Sequence, residues 1–206
     1  MFSIKQHASI QQKTVYIFHD HENKNEFPFM NAVHTQHIKK VAVIGPECTG
    51  KSDLSAFLAE YFKTSWVPEY ARGYIDNLVR PYDERDLLTI AHGQMRLEDE
   101  WPHGSGNLLI CDTNLYVIKI WSEFKYGKCD KEILKNIAER KYDLYLLTYV
   151  DIPWQDDPQR EHPDKREELY QLYLKDMKAQ SVPFVEIRGE RDVRRKLAIE
   201  AVNKIL

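Results

Sequence analysis

Apolar and polar positions alternate between two periods along most of the chain. Val41-Ala42-Val43-Ile44 is an unbroken apolar run, which predicts a strand over Lys40–Ile44 buried on both faces. Leu54, Phe57, Leu58 and Tyr61 then recur at helical spacing and predict a helix over Lys51–Phe62. The same two patterns repeat to the end. Strands are predicted at Ser65–Val67, Leu108–Cys111, Leu144–Val150 and Pro183–Ile187. Helices are predicted at Tyr70–Val79, Asp83–Glu100, Leu115–Phe124, Asp130–Ala138, Lys165–Gln180 and Asp192–Ile205. Strands separated by helices imply an α/β fold with a parallel β-sheet covered on both faces, a three-layer sandwich.

Residues 1 to 39 break this pattern. They carry five of the eight histidines and no helical period, so they read as an N-terminal extension to a domain spanning 40–206. Thr14–Phe18 is a β-prone run suited to an edge strand. His19-Asp20-His21-Glu22 has the composition of a metal site but equally that of a polar, mobile tail.

Composition narrows the class. The formal net charge is -3 with Lys and Arg spread along the 206 residues, so no basic face for nucleic acid is expected. No run of 18 apolar residues occurs, and Met1–Lys13 lacks the apolar core of a secretory signal. Cys48, Cys111 and Cys129 show no paired spacing, so neither a disulfide framework nor a zinc site is expected. These readings describe a cytoplasmic protein with no membrane partner.

The chemistry concentrates after the first strand of the domain. Gly45-Pro46-Glu47-Cys48-Thr49-Gly50-Lys51-Ser52 satisfies the phosphate-binding pattern G-x-x-x-x-G-K-[ST] between a buried strand and an amphipathic helix. A match to that pattern alone arises by chance in about 1% of chains this long at average residue usage. Glycines let the loop turn its N–H groups inward, and the helix N-terminus adds positive potential. Gly45, Glu47, Cys48, Thr49, Gly50, Lys51, Ser52 and Asp53 are therefore the candidate ATP contacts. Lys51 reaches the β- and γ-phosphates, and Ser52 is a ligand for Mg²⁺.

Three further groups complete a catalytic candidate. Asp112 ends the Leu108–Cys111 strand with Thr113 beside it, where a carboxylate meets the metal; it also has the position of a helix cap. Glu69 follows the Ser65–Val67 strand, placed to accept the proton of an attacking hydroxyl, with Tyr70 and Arg72 close to the acceptor. The alternative for Glu69 is a surface carboxylate favoured by a helix dipole. Asp151 to Arg160 reads as a lid segment over the nucleotide, with Arg160 and Arg166 set to neutralise phosphoryl charge and Trp154 set to stack on a ring. A solvated polar loop is the other reading. A GTPase would carry an Asn-Lys-x-Asp element after the phosphate loop, and none is present.

The ordered set of Gly45–Ser52, Trp66-Val67-Pro68-Glu69-Tyr70-Ala71-Arg72, Cys111-Asp112-Thr113-Asn114, Tyr142–Leu147 and Asp151-Ile152-Pro153-Trp154 resembles the ribosylnicotinamide kinase domain of the bifunctional bacterial NAD-biosynthesis regulator, over residues 38 to 206. The resemblance implies a nucleoside-kinase-like P-loop fold and phosphorylation of the 5′-hydroxyl of nicotinamide riboside by ATP with Mg²⁺. Lys51 and Ser52 would serve phosphate and metal, Asp112 the metal, and Glu69 the riboside. The family usually has Asp where this chain has Asn114, which lowers the local charge. Its bifunctional members hold the nicotinamide ring between two aromatic side chains. Trp66, Tyr70, Tyr74, Trp101 and Trp121 are the aromatic candidates here, and the sequence does not choose among them. The length leaves no room for an adenylyltransferase or a DNA-binding domain, so neither activity is expected. Two other functions fit the same motifs: a kinase for a different nucleoside or nucleotide, and a P-loop ATPase switched by a protein partner.

Overall fold

The computed structural model describes residues 37–100 and 106–206, together with two short strands nearer the N-terminus. The chain divides into two units, Met1–Thr35 and Gln36–Leu206. In the first, β1 (Ser9–Ile10) pairs antiparallel with β2 (Lys13–Thr14). The rest of the predicted Thr14–Phe18 run, the His19–Glu22 cluster and Trp101 lie outside the described residues.

The second unit is built on a five-stranded sheet. Its strands are β3 (Lys39–Ile44), β4 (Ser65–Val67), β5 (Leu108–Asp112), β6 (Leu144–Thr148) and β7 (Phe184–Ile187). They lie in the order β4-β5-β3-β6-β7, and every pairing is parallel. The helices are α1 (Lys51–Phe62), α2 (Tyr70–Asp76), α3 (Glu84–Glu100), α4 (Leu115–Tyr126), α5 (Lys131–Glu139), α6 (Arg166–Ala179) and α7 (Arg191–Asn203). A single 3-10 turn, Pro163–Lys165, leads into α6.

The period of two along each strand decides which layer a side chain joins. Val41 and Val43 of β3, Leu108 and Ile110 of β5, and Leu144 and Leu146 of β6 pack with Leu54 and Leu58 of α1 and with Ala198, Ala201 and Val202 of α7. Their neighbours Ala42, Ile44, Leu109, Cys111, Tyr145 and Leu147 face the opposite way, onto Ile120 of α4 and Leu169, Tyr170, Tyr173 and Met177 of α6. The result is the three-layer α/β sandwich with a parallel sheet that the periodicity implied. Among the described residues no helix is long and apolar enough to cross a membrane.

The predicted elements match closely, with shifts at their ends. Helix α2 stops at Asp76 rather than Val79. The chain there turns back so that Arg80 can place two N–H donors on the buried Asp86, at 2.7 and 2.8 Å. Asp86 also accepts from the Asp83 backbone, closing a capping box at the start of α3. Its carboxyl is held well below the usual range, first by the Arg80 hydrogen bonds and against burial.

Strand order reverses at β3. The loops leaving β3, β4, β5, β6 and β7 all open on the carboxyl edge of the sheet, where parallel α/β folds hold ligands. Helix α2, which carries Glu69 at its N-cap, is seated on α3 rather than on the sheet. The Tyr70 ring lies over Gly93, where a Cβ would stand 2.1 Å from the ring, and the Tyr70 N–H donates to Gln94 Oε1 at 2.9 Å. Gly93→Ala tests this seat. Alanine in a helix normally stabilises relative to glycine, but here the ring must move. Urea denaturation should show a loss of about 1–3 kcal/mol. A midpoint at or above that of the parent would mean that the ring yields freely.

Candidate active site

The loop after β3 is shaped by close backbone approach. Gly45 has φ 142° and passes so near β6 that a Cβ would meet Thr148 Oγ1 at 2.4 Å. Gly50 turns the chain into α1 with φ 76°. Cys48 also takes a left-handed conformation, φ 54°, at a cost that the surrounding bonds must offset. Thr49 is buried and spends its side chain on the loop itself: its hydroxyl donates to Pro46 O at 2.7 Å and shares a 2.7 Å bond with Thr148 Oγ1. Lys51 Nζ folds back over the loop onto Pro46 O at 2.9 Å. Ser52 is exposed at the mouth of α1.

Asp112 stands at the end of β5, in register with Val43 of β3. It is 2% exposed and its Oδ1 has no hydrogen-bond partner in the protein. Burial pushes its carboxyl up to about 6, against a hydrogen bond from Ser52; the charge of Glu69 adds to the rise, while Lys51 and Arg72 oppose it. A buried, half-paired carboxylate beside an exposed hydroxyl suits a hard cation that takes its other ligands from phosphate and water. No group of three His, Cys, Asp or Glu among the described residues could hold a metal unaided. Next to Asp112, Thr113 has φ 71°, an outlier for a β-branched residue, and Asn114 caps α4 by accepting the Tyr116 N–H at 3.0 Å. The helix-capping role considered for Asp112 thus belongs to Asn114.

One cavity of about 850 Å³ runs along this edge. Gly45 to Leu54 line one side, with Arg191, Arg194 and Arg195 of α7. Glu69, Arg72 and Ile75 line the middle. Val117, Ile120, Trp121 and Phe124 of α4 wall the far side. Glu69 is the N-cap of α2 yet makes no capping bond, so its carboxylate is free for a ligand.

The loop 149–162 closes over the cavity and is fastened to the phosphate loop at both ends. Gln155 N–H donates to Cys48 Sγ at 3.2 Å, and Cys48 donates to Pro153 O at 3.5 Å. The Glu47 carboxylate accepts the N–H groups of Glu161 and His162 at 2.9 and 2.5 Å. Arg72 pairs with Asp157 at 3.0 Å, which ties α2 to the same segment.

The structure gathers most of the candidate residues. Gly45, Glu47, Cys48, Thr49, Gly50, Lys51, Ser52, Asp53, Glu69, Arg72 and Arg160 line the cavity, with Asp112 behind Ser52. Arg160 is turned to Cys48 Sγ at 3.4 Å and to Gln155 O. Asp53 pairs with Arg191 at 2.6 Å on the rim. Three candidates stand off the cavity. Tyr70 packs on Gly93. Trp154 lies beneath Arg166 and Arg160, whose guanidinium carbons are 5.6 and 6.0 Å from its ring centre. Arg166 donates to Cys48 O and Ile152 O at 3.2 and 2.8 Å, bracing loop against lid. Of the aromatic candidates for ring binding, Trp121 lines the cavity; Trp66 and Tyr74 pack in the core.

Two groups of site residues escaped the sequence reading. Arg194 is 5% exposed and donates to Thr49 O and Asp151 Oδ1, joining α7 to the phosphate loop and the root of the lid. Its signal was a charge on the stripe it shares with Ala198, Ala201 and Val202. Phe124, Glu161 and His162 also line the cavity, and nothing local distinguishes them from core or surface residues.

A family model described as an AAA domain matches residues 40–194. The trifunctional NAD biosynthesis/regulator protein NadR of Salmonella typhimurium is 24% identical over 178 residues, which are 82% of this chain and 43% of that protein. NadR of Escherichia coli is 25% identical over the same shares. The chain thus spans less than half the length of these relatives. Among solved structures, NadR protein in complex with NR superposes with a TM-score of 0.69 at 24% identity, covering 81% of this chain and 51% of that one. Deoxyadenosine kinase from M. mycoides superposes with a TM-score of 0.59 at 15% identity, covering 81% of this chain and all of that one (100%). The fold is that of the P-loop kinases.

The buried Asp112 carboxylate has a thermodynamic signature. Its folded pKa is raised, so the stability it contributes is full below its unfolded value near 4 and is lost as pH rises through about 6. At pH 7.5 and without nucleotide, Asp112→Asn should be more stable than the parent, by something on the order of 2 kcal/mol. The difference should shrink at pH 4.5. Urea titrations at the two pH values read this directly, and a less stable variant at pH 7.5 would contradict the description of the site.

Proposed function

From the premise that the chain belongs to the AAA domain family and has a P-loop kinase fold, we propose that it is an ATP-dependent small-molecule kinase that phosphorylates nicotinamide riboside to nicotinamide mononucleotide. The observation that carries the reading is the convergence of Lys51 and an uncapped Glu69 on one cavity whose far side is apolar and aromatic, with the half-paired Asp112 behind Ser52. An ATPase switched by a partner has no need of the second half of that cavity. A nucleoside kinase must house a planar ring there. The similarity to NadR, one structure of which holds NR, supports the choice of riboside.

Each residue then has a task. The N–H groups of 46–52 cradle the phosphates of ATP, and Lys51 leaves Pro46 O to reach them. Ser52 and Asp112 would hold Mg²⁺, which when bound offsets phosphate charge. Glu69 orients the 5′-hydroxyl of the acceptor and takes its proton as the bond to phosphorus forms. Arg160 faces the transferring group from the lid. Arg72 stands between Glu69 and the lid, where its pairing with Asp157 brings the acceptor helix and the lid together.

The deciding experiment is release of ADP from MgATP with and without nicotinamide riboside, with the phosphorylated product identified by mass. Strong stimulation and formation of the mononucleotide are expected. Stimulation by a different nucleoside would keep the kinase and change the acceptor, and hydrolysis indifferent to every nucleoside would return the reading to an ATPase. Two variants separate the roles. Lys51→Ala should abolish transfer with the thermal midpoint unchanged. Glu69→Gln should lower kcat by roughly 100-fold or more while the KM for ATP stays within a few-fold of the parent; full turnover would remove Glu69 from the chemistry.

A further inference from the structure

The loop between α2 and α3 reaches the α4 wall of the cavity through the side chain of Tyr82. That ring packs edge-on against Trp121, with centroids 4.8 Å apart and planes at 65°. The Tyr82 hydroxyl accepts the indole N–H of Trp121 at 2.9 Å, which uses the single polar group of that side chain. The same oxygen accepts from Lys125 Nζ and donates to Glu161 Oε2 at 2.7 Å. Its one donor and two acceptor positions are thus all engaged. Burial first, and then the Glu161 carboxylate, hold the phenol well above its usual pKa, so it stays a donor to that carboxylate. Lys125 closes the group by reaching Glu161 at 2.9 and 3.0 Å.

Trp121 lines the cavity and Tyr82 does not, so Tyr82 acts on a ligand through the indole. Apolar packing alone leaves a flat side chain free to rock about its χ angles, whereas a hydrogen bond is directional and fixes the plane. The bond to Tyr82 also has its origin outside α4. Glu161 belongs to the loop 149–162, and its backbone N–H is held by the Glu47 carboxylate at 2.9 Å. A chain of hydrogen bonds therefore runs from Trp121 to Tyr82, from Tyr82 to Glu161 and from Glu161 to Glu47 of the phosphate loop. Resting on the kinase reading, we infer that Tyr82 is a positioning residue of the acceptor site: it sets the plane of the Trp121 indole on which the planar ring of the acceptor stacks, and through Glu161 it aligns that plane on the phosphate loop. Stacking depends on offset and angle, so an indole released from Tyr82 holds the acceptor more weakly. The ring contact is the same before and during transfer, so the loss falls on KM rather than on kcat.

The test is steady-state kinetics of the full chain with MgATP and whichever of nicotinamide riboside, adenosine, cytidine and guanosine the parent prefers. Tyr82→Phe keeps the ring against Trp121 and removes the hydroxyl. It should raise the KM for the acceptor roughly tenfold, the value of one lost hydrogen bond, with kcat and the KM for ATP unchanged. Trp121→Phe keeps a flat ring in the wall but has no N–H for Tyr82 to hold. In that background Tyr82→Phe should add little, because its effect passes through the indole. A second readout needs no acceptor. In a nitrogen–proton correlation spectrum of the free protein, the indole signal missing from Trp121→Phe is that of Trp121, and in Tyr82→Phe it should shift and exchange faster with solvent. A hydroxyl that served only to hold Glu161 and its loop would move kcat and the KM for ATP as well, and would act equally in both backgrounds. An unchanged acceptor KM in Tyr82→Phe, fold-changes that multiply in the double variant, or an indole signal that stays in place overturns the inference and leaves the kinase intact. A parent that phosphorylates no nucleoside overturns the kinase reading, and this inference with it.

Discussion

The closeness of two backbones at the switch point of the sheet governs everything that follows it. Gly45 leaves β3 so near to β6 that no side chain fits between it and Thr148. Thr148 uses the proximity fully: its Oγ1 lies 3.0 Å from Ile44 O and 2.7 Å from the Thr49 hydroxyl, and its one proton bonds to one of the two. The phosphate loop is thereby tied to the neighbouring strand as well as to its own. Such rigidity matters because the N–H groups of the loop must already point inward when a charged ligand arrives; ordering them at that moment would subtract from the affinity. Arg194 completes the restraint from the opposite side by holding Thr49 O.

Around this fixed loop the remaining groups arrive by different routes. Asp112 comes with β5 and inherits the precision of a sheet register. Glu69 comes at the head of a helix seven residues long, which is placed by Tyr70 on Gly93 and Gln94 of α3. The loop 149–162 is irregular and is held mainly by side-chain bonds, with the Tyr149 N–H on Ile187 O as its backbone tie to β7. Positional certainty therefore falls from Asp112 to Glu69 to the loop 149–162.

Much of this was legible before the fold was known. A strand buried on both faces, followed by the glycine and lysine pattern and an amphipathic helix, identifies the nucleotide site because those residue types serve a backbone geometry that few others permit. Asp112 was legible for the same reason, at the carboxyl end of an apolar run. Tyr70 and Trp154 were less so. An aromatic residue beside a catalytic group reads as a ligand contact, but Tyr70 spends its ring on seating α2 and Trp154 spends its ring beneath two arginines. The partners that decide this are 24 residues away for Gln94 and 12 for Arg166, and no local pattern announces them. Glu47 was read as a nucleotide contact from its place in the loop, and its carboxylate instead lines the cavity while holding backbone 114 and 115 residues further on.

That last arrangement bears on how the chain can evolve. Surface loops ordinarily gain and lose residues with little penalty. Here Gln155 is pinned to Cys48 at one end of a segment and Glu161 and His162 are pinned to Glu47 at the other. One inserted or deleted residue between them would throw the second set of N–H groups out of register with a carboxylate that cannot follow. Related chains that keep an acidic residue at position 47 should therefore conserve the length of 155–162 even where its composition drifts, whereas chains that lose that acid are released to vary it.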